Sequence, residues 1–327
     1  MKLPNDAVVT AFGRQALSLI AQELRARTIT SLLAPDYYCP TMVLPFTLEG
    51  ISVRFVETDT HCLMVPAALR SALARSPRSA VLHCETFGNQ ASAALADVLQ
   101  SGREAGSTLI IDRTHSWPHP LSTKADYVTA SLRKLLPVTD GAFVTGLGQA
   151  TLVPSSSSET TRAIAARRRY LDRPSIATFE DAEDAADQAW VPAPPSTASM
   201  RLVDGLDECA LFAKRRHVMQ RLARALAAHQ IPWLKMLNPP ASGLLALRHH
   251  HADQIMDDLA THGVFPPVYW GKPRHLAPGH GWRTDIFTIP LDHTVAGRED
   301  RVADWICRAA TANCHGEMAT RGIITPA

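Results

Sequence analysis

Along its first half the chain alternates short apolar runs with amphipathic stretches. Residues 14–26, RQALSLIAQELRA, put Ala16, Leu17, Leu19, Ile20 and Leu24 on one helical face, directly after Gly13. The spacing predicts a helix that opens on a glycine. A strand-like TITSLLAP comes next, then a helix through TMVLPFTLEG, a strand ISVRFVE and a helix through PAALRSALARS. SAVLHC reads as a strand, SAALADVLQSGREAG as a helix, and STLIID and ADYVTAS as further strands. This is the rhythm of βαβ units, and it implies a mostly parallel sheet covered on both faces. In such sheets ligands bind beyond the carboxyl ends of the strands.

After residue 150 the pattern changes. PSSSSETT reads as a loop, AIAARRRYL and FEDAEDAADQAW as helices, and VPAPPSTAS as a proline-rich break. A long helical pattern runs from about Met200 to Ala228. The tail mixes strands and helices, as a smaller α+β domain would. The expected division is a large domain over 1–195, then a connecting helix and small C-terminal domain over 196–327.

Composition changes this picture little. The 33 Lys and Arg against 31 Asp and Glu give a formal charge of +2, which is no electrostatic footprint for nucleic acid. MKLPNDAVVTAFGRQ has no apolar stretch of signal-peptide length, and no window approaches the ~20 apolar residues of a membrane span. A cytoplasmic protein is expected, with no membrane partner. The six cysteines are scattered without a CxxC pair, which suits reduced thiols better than disulfides or zinc. His249, His250 and His251 are consecutive and cannot all face one ion from a strand or helix, so they read as a solvated loop and no metal is expected.

The chemistry is concentrated at two strand ends. IIDRTHSW climbs through apolar residues to Asp112, with His115 three residues on. A carboxylate in such a place costs desolvation energy unless a cation meets it. Lys134 stands 134 − 112 = 22 residues later, just past the end of a second strand at Ser131, before GAFVTG resumes. A parallel sheet aims both groups into one crevice. A lysine there can form a Schiff base with pyridoxal phosphate, whose pyridinium nitrogen then pairs with a carboxylate. Asp112 suits that role, His115 the cofactor's phenolic oxygen, and Ser131 its phosphate. The glycine turn FGRQAL, with Gly13, Arg14 and Gln15, offers free N–H groups and a favourable dipole to the same phosphate. Singly, Lys134 reads as a loop lysine and Asp112 as a turn cap; their order and spacing carry the reading.

Those residues together resemble the fold-type I pyridoxal-phosphate enzymes, in particular the DegT/DnrJ/StrS-type aminotransferases. GRQAL is similar to that family's early phosphate turn, and APDYYCPTMVLPFTLEGISVRFVETD to its next βαβ segment. IIDRTH resembles its aspartate motif and SLRKLLPVTDGAFV its lysine loop, although Arg113 and Thr114 replace a usually small pair. STASMRLVDGLDECALFAKRR resembles its dimer-side helix, and PPVYWGKP, IFTIPLDHT and REDRVADWI its small-domain ending. The resemblance implies a three-layer α/β/α fold with a mostly parallel sheet, aminotransferase fold type I, plus a small C-terminal α+β domain. It further implies a homodimer that transaminates a small-molecule amine or keto substrate, such as a sugar-like intermediate of a biosynthetic pathway, through Lys134. By the same likeness Tyr38 falls near the residue that stacks on the cofactor ring, and Asn89 and Gln90 on the turn facing it. Arg248, Arg274 and Arg283 carry forks suited to a substrate carboxylate. The same cofactor also serves lyase, dehydratase or decarboxylase chemistry, and a non-catalytic homologue would keep the fold alone.

Overall fold

The computed structural model describes residues 2–119, 121, 123–148, 157–238, 243–268, 270–273, 276 and 281–312. They divide into two compact units, Met1–Glu208 and Cys209–Ala327.

The first unit is built on a seven-stranded sheet. Its strands are β1 (Val8–Thr10), β2 (Ser31–Pro35), β3 (Ser52–Val56), β4 (Ala80–Cys84), β5 (Thr108–Asp112), β6 (Tyr127–Ser131) and β7 (Ala142–Thr145). Their order across the sheet is β1-β7-β6-β5-β4-β2-β3. Only β7 runs against the others: it pairs antiparallel with both β1 and β6, while the remaining pairs are parallel. The apolar runs at the centre explain this arrangement, since β4, β5 and β6 are buried along their whole length, as strands covered on two faces must be. β1 escapes detection from sequence because three residues hold too few alternations to register as a strand.

Helices α1 (Gly13–Ala26), α2 (Pro40–Leu48), α3 (Pro66–Arg75) and α4 (Ala93–Glu104) connect the parallel strands. α1 starts where the glycine turn indicates, and Gln15 closes its first turn by accepting from the Phe12 N–H at 3.2 Å. Beyond the sheet lie α5 (Ser158–Asp172), α6 (Ile176–Asp187) and α7 (Thr197–Gly205). The segment read as a loop through Thr161 is helical from Ser158, because the Ser157 hydroxyl caps the Thr160 N–H at 3.1 Å. α5 and α6 form a hairpin whose small residues Ala163, Ala166, Ala182, Ala185, Ala186 and Ala189 pack with Ala11 and Phe12 in front of α1. A buried carboxylate anchors the start of α7: Asp140 accepts from the Ser196 N–H and from the hydroxyls of Ser196, Ser199 and Thr139, at 2.5 to 2.7 Å.

The pattern read as one helix from Met200 to Ala228 is two. α7 stops at Gly205, a weak helix former, and Leu206 is extended (φ −74, ψ 127) before α8 (Glu208–His229) begins. In the second unit β8 (Lys235–Met236), β9 (Leu244–Arg248) and β10 (Ile286–Pro290) make an antiparallel sheet in the order β10-β9-β8. α8, α9 (Ala252–Thr261) and α10 (Glu299–Thr311) supply Met219, Leu222, Ile255 and Ile306 to its core, with Phe287 from the sheet. His249 departs from the solvated loop expected of it. It is buried at the end of β9, its Nδ1 accepting from the His251 N–H and its Nε2 3.1 Å from the Pro232 carbonyl.

His83, the fourth residue of β4, is buried with neither ring nitrogen bonded among the described residues, and burial pushes its pKa down to about 4. An ordinary histidine takes a proton near pH 6.5, so between that pH and about 4 the unfolded chain binds a proton that the folded chain refuses. The stability associated with a neutral His83 is therefore full above pH 6.5 and falls as the pH drops. Chemical denaturation at pH 7 and pH 4.5 should show His83→Leu losing ~2–3 kcal/mol less than wild type across that interval. Equal losses in the two proteins would overturn this account.

Candidate active site

The register of the central strands gathers the site. Cys84 pairs with Asp112, and Asp112 with Thr129, so β4, β5 and β6 end side by side. Ser131 closes β6 and passes at once into a 3-10 turn, Leu132–Lys134. α1 points its first turn at this place. A Cβ on Gly13 would lie 3.1 Å from the Ser131 Cβ, so the absence of a side chain at 13 lets the helix come close. The N–H groups of Gly13 and Arg14, at the start of the helix, have no intrahelical acceptor. A chain of contacts then links the helix to the acid: the Ser131 N–H donates to the Thr114 hydroxyl at 3.0 Å, and the Thr114 N–H donates to Asp112 Oδ1 at 2.8 Å.

Asp112 is thus both the end of a buried strand and the cap of the turn after it. Burial raises the carboxyl pKa, the Thr114 bonds oppose this, and the like charge of Glu85 adds to it. Arg113 does not relieve Asp112. Its Nε lies 3.3 Å from Glu85 Oε2, its guanidinium lies over Trp117, and Ser116 donates to the same Glu85 oxygen in a short contact. A buried carboxylate left with a raised pKa is suited to a cationic ligand atom.

His115 is held from behind. Its Nδ1 accepts from the Phe87 N–H at 3.1 Å, and its ring stacks with Phe87 at 6.0 Å between centroids. An accepting Nδ1 makes Nε2 the protonated nitrogen, so the ring is a donor at that edge. Burial, and secondarily the charge of Lys134, pushes the His115 pKa down to about 3, which keeps it neutral. Phe87 takes a left-handed backbone (φ 57, ψ 17), a conformation uncommon outside glycine. Neither Phe87 nor Glu85 is singled out by the sequence, because each works through a partner 28 or 31 residues away.

Lys134 meets a carboxylate that the sequence does not announce. Its Nζ lies 3.5 Å from Glu183 Oε2, on α6. Arg133 grips the same carboxylate with both Nη atoms, at 2.7 and 3.3 Å, and Arg167 of α5 approaches at 3.9 Å. Burial lowers the Lys134 pKa, Glu183 raises it, and the two guanidiniums lower it again; the net direction is down. The hairpin that carries Glu183 is tied to the first turn of α1. Arg14 reaches Asp187 at 2.6 Å and lies over Trp190, while the Gln15 amide donates to the Thr160 hydroxyl and the Val191 carbonyl.

The side chains of Arg14 and Gln15 therefore hold the hairpin, and only their backbone faces the Ser131 end. Tyr38 is buried with its ring stacked on Phe55 at 4.5 Å, and Asn89 donates to the His61 carbonyl at 3.1 Å. Arg248 pairs with Asp285 at 2.9 Å and Arg283 is partly buried, both in the second unit; Arg274 lies outside the described residues.

No protein-family model matches the chain, and no curated protein matches it in sequence. Solved structures do match its fold. A sugar aminotransferase assignment from Streptococcus pneumoniae, in its PMP form, superposes with a TM-score of 0.66 at 15% identity, over 95% of this chain and 88% of that one. The sugar aminotransferase CalS13 from Micromonospora echinospora gives 0.60 at 16% identity, over 93% and 87%. A DegT DnrJ EryC1 StrS aminotransferase from Brucella abortus gives 0.57 at 16%, over 92% and 84%. The architecture is that of the fold-type I aminotransferases, as the resemblance in sequence implies. No helix among the described residues is long and apolar enough to cross a membrane.

The bond between His115 and Phe87 can be tested directly. His115→Ala leaves the buried Phe87 N–H without its acceptor, and an unmade buried hydrogen bond costs ~1–3 kcal/mol. Denaturant unfolding should show a loss of that size, accompanied by faster hydrogen exchange at the Phe87 amide. Unchanged exchange would overturn the pairing.

Proposed function

We propose that the protein is a pyridoxal-phosphate-dependent aminotransferase that acts on a small, sugar-like biosynthetic intermediate. The single observation that carries this reading is the meeting of Asp112, Ser131, Lys134 and the open turn at Gly13 around the carboxyl ends of adjacent strands. The donor set fits the cofactor at each point. Asp112 is a buried carboxylate whose pKa burial raises, the Gly13 turn is a cradle that a Cβ would fill, and Lys134 is an amine of lowered pKa just past the end of β6. The solved structures that share the fold include one described in a PMP form, which favours the same cofactor here.

When bound, pyridoxal phosphate supplies an aldehyde that condenses with amines and a protonated pyridine ring that takes up electron density. In this protein Lys134 would hold the cofactor covalently through Nζ and afterwards carry a proton to and from the reacting carbon. Asp112 would keep a proton on the ring nitrogen, because an ionised ring offsets the cost of burying its carboxylate. The Nε2–H of His115, fixed by the bond on Nδ1, would donate to the phenolic oxygen. The Ser131 hydroxyl and the N–H groups of Gly13 and Arg14 would bind the phosphate, where the helix dipole favours negative charge. We further propose that the protein is cytoplasmic, in keeping with cysteines that form no disulfide among the described residues, and that it is a homodimer, as the resemblance in sequence implies.

The test is reductive trapping. Protein incubated with pyridoxal phosphate, reduced with borohydride and digested should carry the cofactor mass on the peptide containing Lys134, and Lys134→Ala should not. Label on another lysine would overturn the assignment. Addition of glutamate should remove the long-wavelength absorbance of the loaded protein; no response to any amino donor would overturn transamination.

Asp112→Asn should keep the fold, because an asparagine oxygen can still cap the Thr114 N–H. Spectroscopic titration should show weaker cofactor binding by ~10- to 100-fold, matching a charge-assisted hydrogen bond of about 1.5–3 kcal/mol. Turnover should fall by roughly a hundredfold or more, since the interaction strengthens as the ring takes up charge. Near-normal turnover would reduce Asp112 to a turn cap.

A further inference from the structure

We infer that Glu183 is the positioning residue of Lys134, so that the α5–α6 hairpin and the cofactor compete for a single amine. The inference rests on the reading of Lys134 as the lysine that holds the cofactor. Its grounds are geometric. The Glu183 carboxylate is the only acidic group within ion-pair distance of Nζ among the described residues, and it is shared with two guanidiniums, Arg133 and Arg167. Arg133 holds it in a fork, and a bidentate grip fixes the carboxylate in place rather than letting it follow the lysine. The hairpin beneath is held in turn by Arg14–Asp187 and by the bonds of Gln15. Lys134 therefore comes to a carboxylate set in position by its neighbours.

The charges around Nζ make the pair consequential. Arg133 comes from the lysine's own turn, Arg167 from α5, Glu183 from α6, the neutral His115 from the turn after β5, and the Cys39 thiol from the start of α2. Three cations share one carboxylate. An opposite charge at this range favours the protonated amine by about one pKa unit or more, and each neighbouring guanidinium disfavours it. A protonated amine cannot attack a carbonyl carbon. Lys134 must lose one proton to solvent and leave Glu183 before it can hold the cofactor. Glu183 thus holds the amine in place and favours its protonated form, against burial and the two guanidiniums that disfavour it.

The test reads the lysine itself. The full chain, freed of carbonyl compounds with hydroxylamine, is acylated with trace acetic anhydride from pH 6 to 10, and modification of the Lys134 peptide is measured by mass spectrometry. In Glu183→Gln the amine should titrate about one unit lower, giving about tenfold faster modification at neutral pH and faster uptake of pyridoxal phosphate. Arg167→Gln should move the same profile upward, because it removes a cation. Opposite shifts are not what a merely structural loss would produce, and Arg167→Gln decides the matter if Glu183→Gln fails to fold. Profiles superimposing on wild type in folded variants would overturn the inference. If wild type takes no cofactor on Lys134, the functional reading falls, while the acylation profiles still decide whether Glu183 governs the amine.

Discussion

The close approach of α1 to the end of β6 is the constraint on which the rest of the first unit depends. With only a hydrogen at Gly13, the helix sets its first turn against Ser131, and a methyl group would meet the Ser131 Cβ at 3.1 Å. That approach has three effects. The open N–H groups of the helix face the strand ends. The Ser131 N–H is left to bond Thr114, which orders the turn that Asp112 caps. The side chains of Arg14 and Gln15, turned away from the strand end, bind the α5–α6 hairpin. One missing side chain thus aligns an open helix turn, an acid and the support for a carboxylate.

Charge is distributed around this point by desolvation more than by pairing. Asp112 and Glu85 lie close and both are buried, yet only Glu85 has an arginine. The arginine at 113 therefore answers a charge on β4's side and leaves Asp112 short of a counter-ion. Around Glu183 the imbalance is reversed, with Arg133, Lys134 and Arg167 gathered on one carboxylate. A site with an acid lacking a cation and cations outnumbering their acid is complementary to a zwitterionic ligand, positive at one end and negative at the other.

The fold was legible in sequence where burial writes a continuous signal. β4, β5 and β6 are apolar along their length, and α1 shows a single apolar face, so both could be read from spacing. β1 could not, because three residues against an antiparallel neighbour leave no pattern. The helix pattern ran on past Gly205 because periodicity carries through a glycine that the backbone uses to stop. Asp112, His115, Ser131 and Lys134 were legible because each stands at or just beyond a strand end. Glu183 was not, being one of several acids in FEDAEDAADQ, and its meeting with Arg133 spans 50 residues of chain. What singles it out is its place on a hairpin, which only packing reveals.

That hairpin rests on a seam of alanines. Ala163 and Ala166 from one helix meet Ala182, Ala185, Ala186 and Ala189 from the other, with Ala11 and Phe12 below. Such a seam is already at the smallest side chain that still packs, so drift can hardly reduce it, and each added methylene must push backbone apart. Sequence change there is translated into distance. A substitution far from any reacting atom would lift α6 and move the carboxylate it carries, so the reactivity of the lysine is exposed to mutation through a layer with no chemistry of its own.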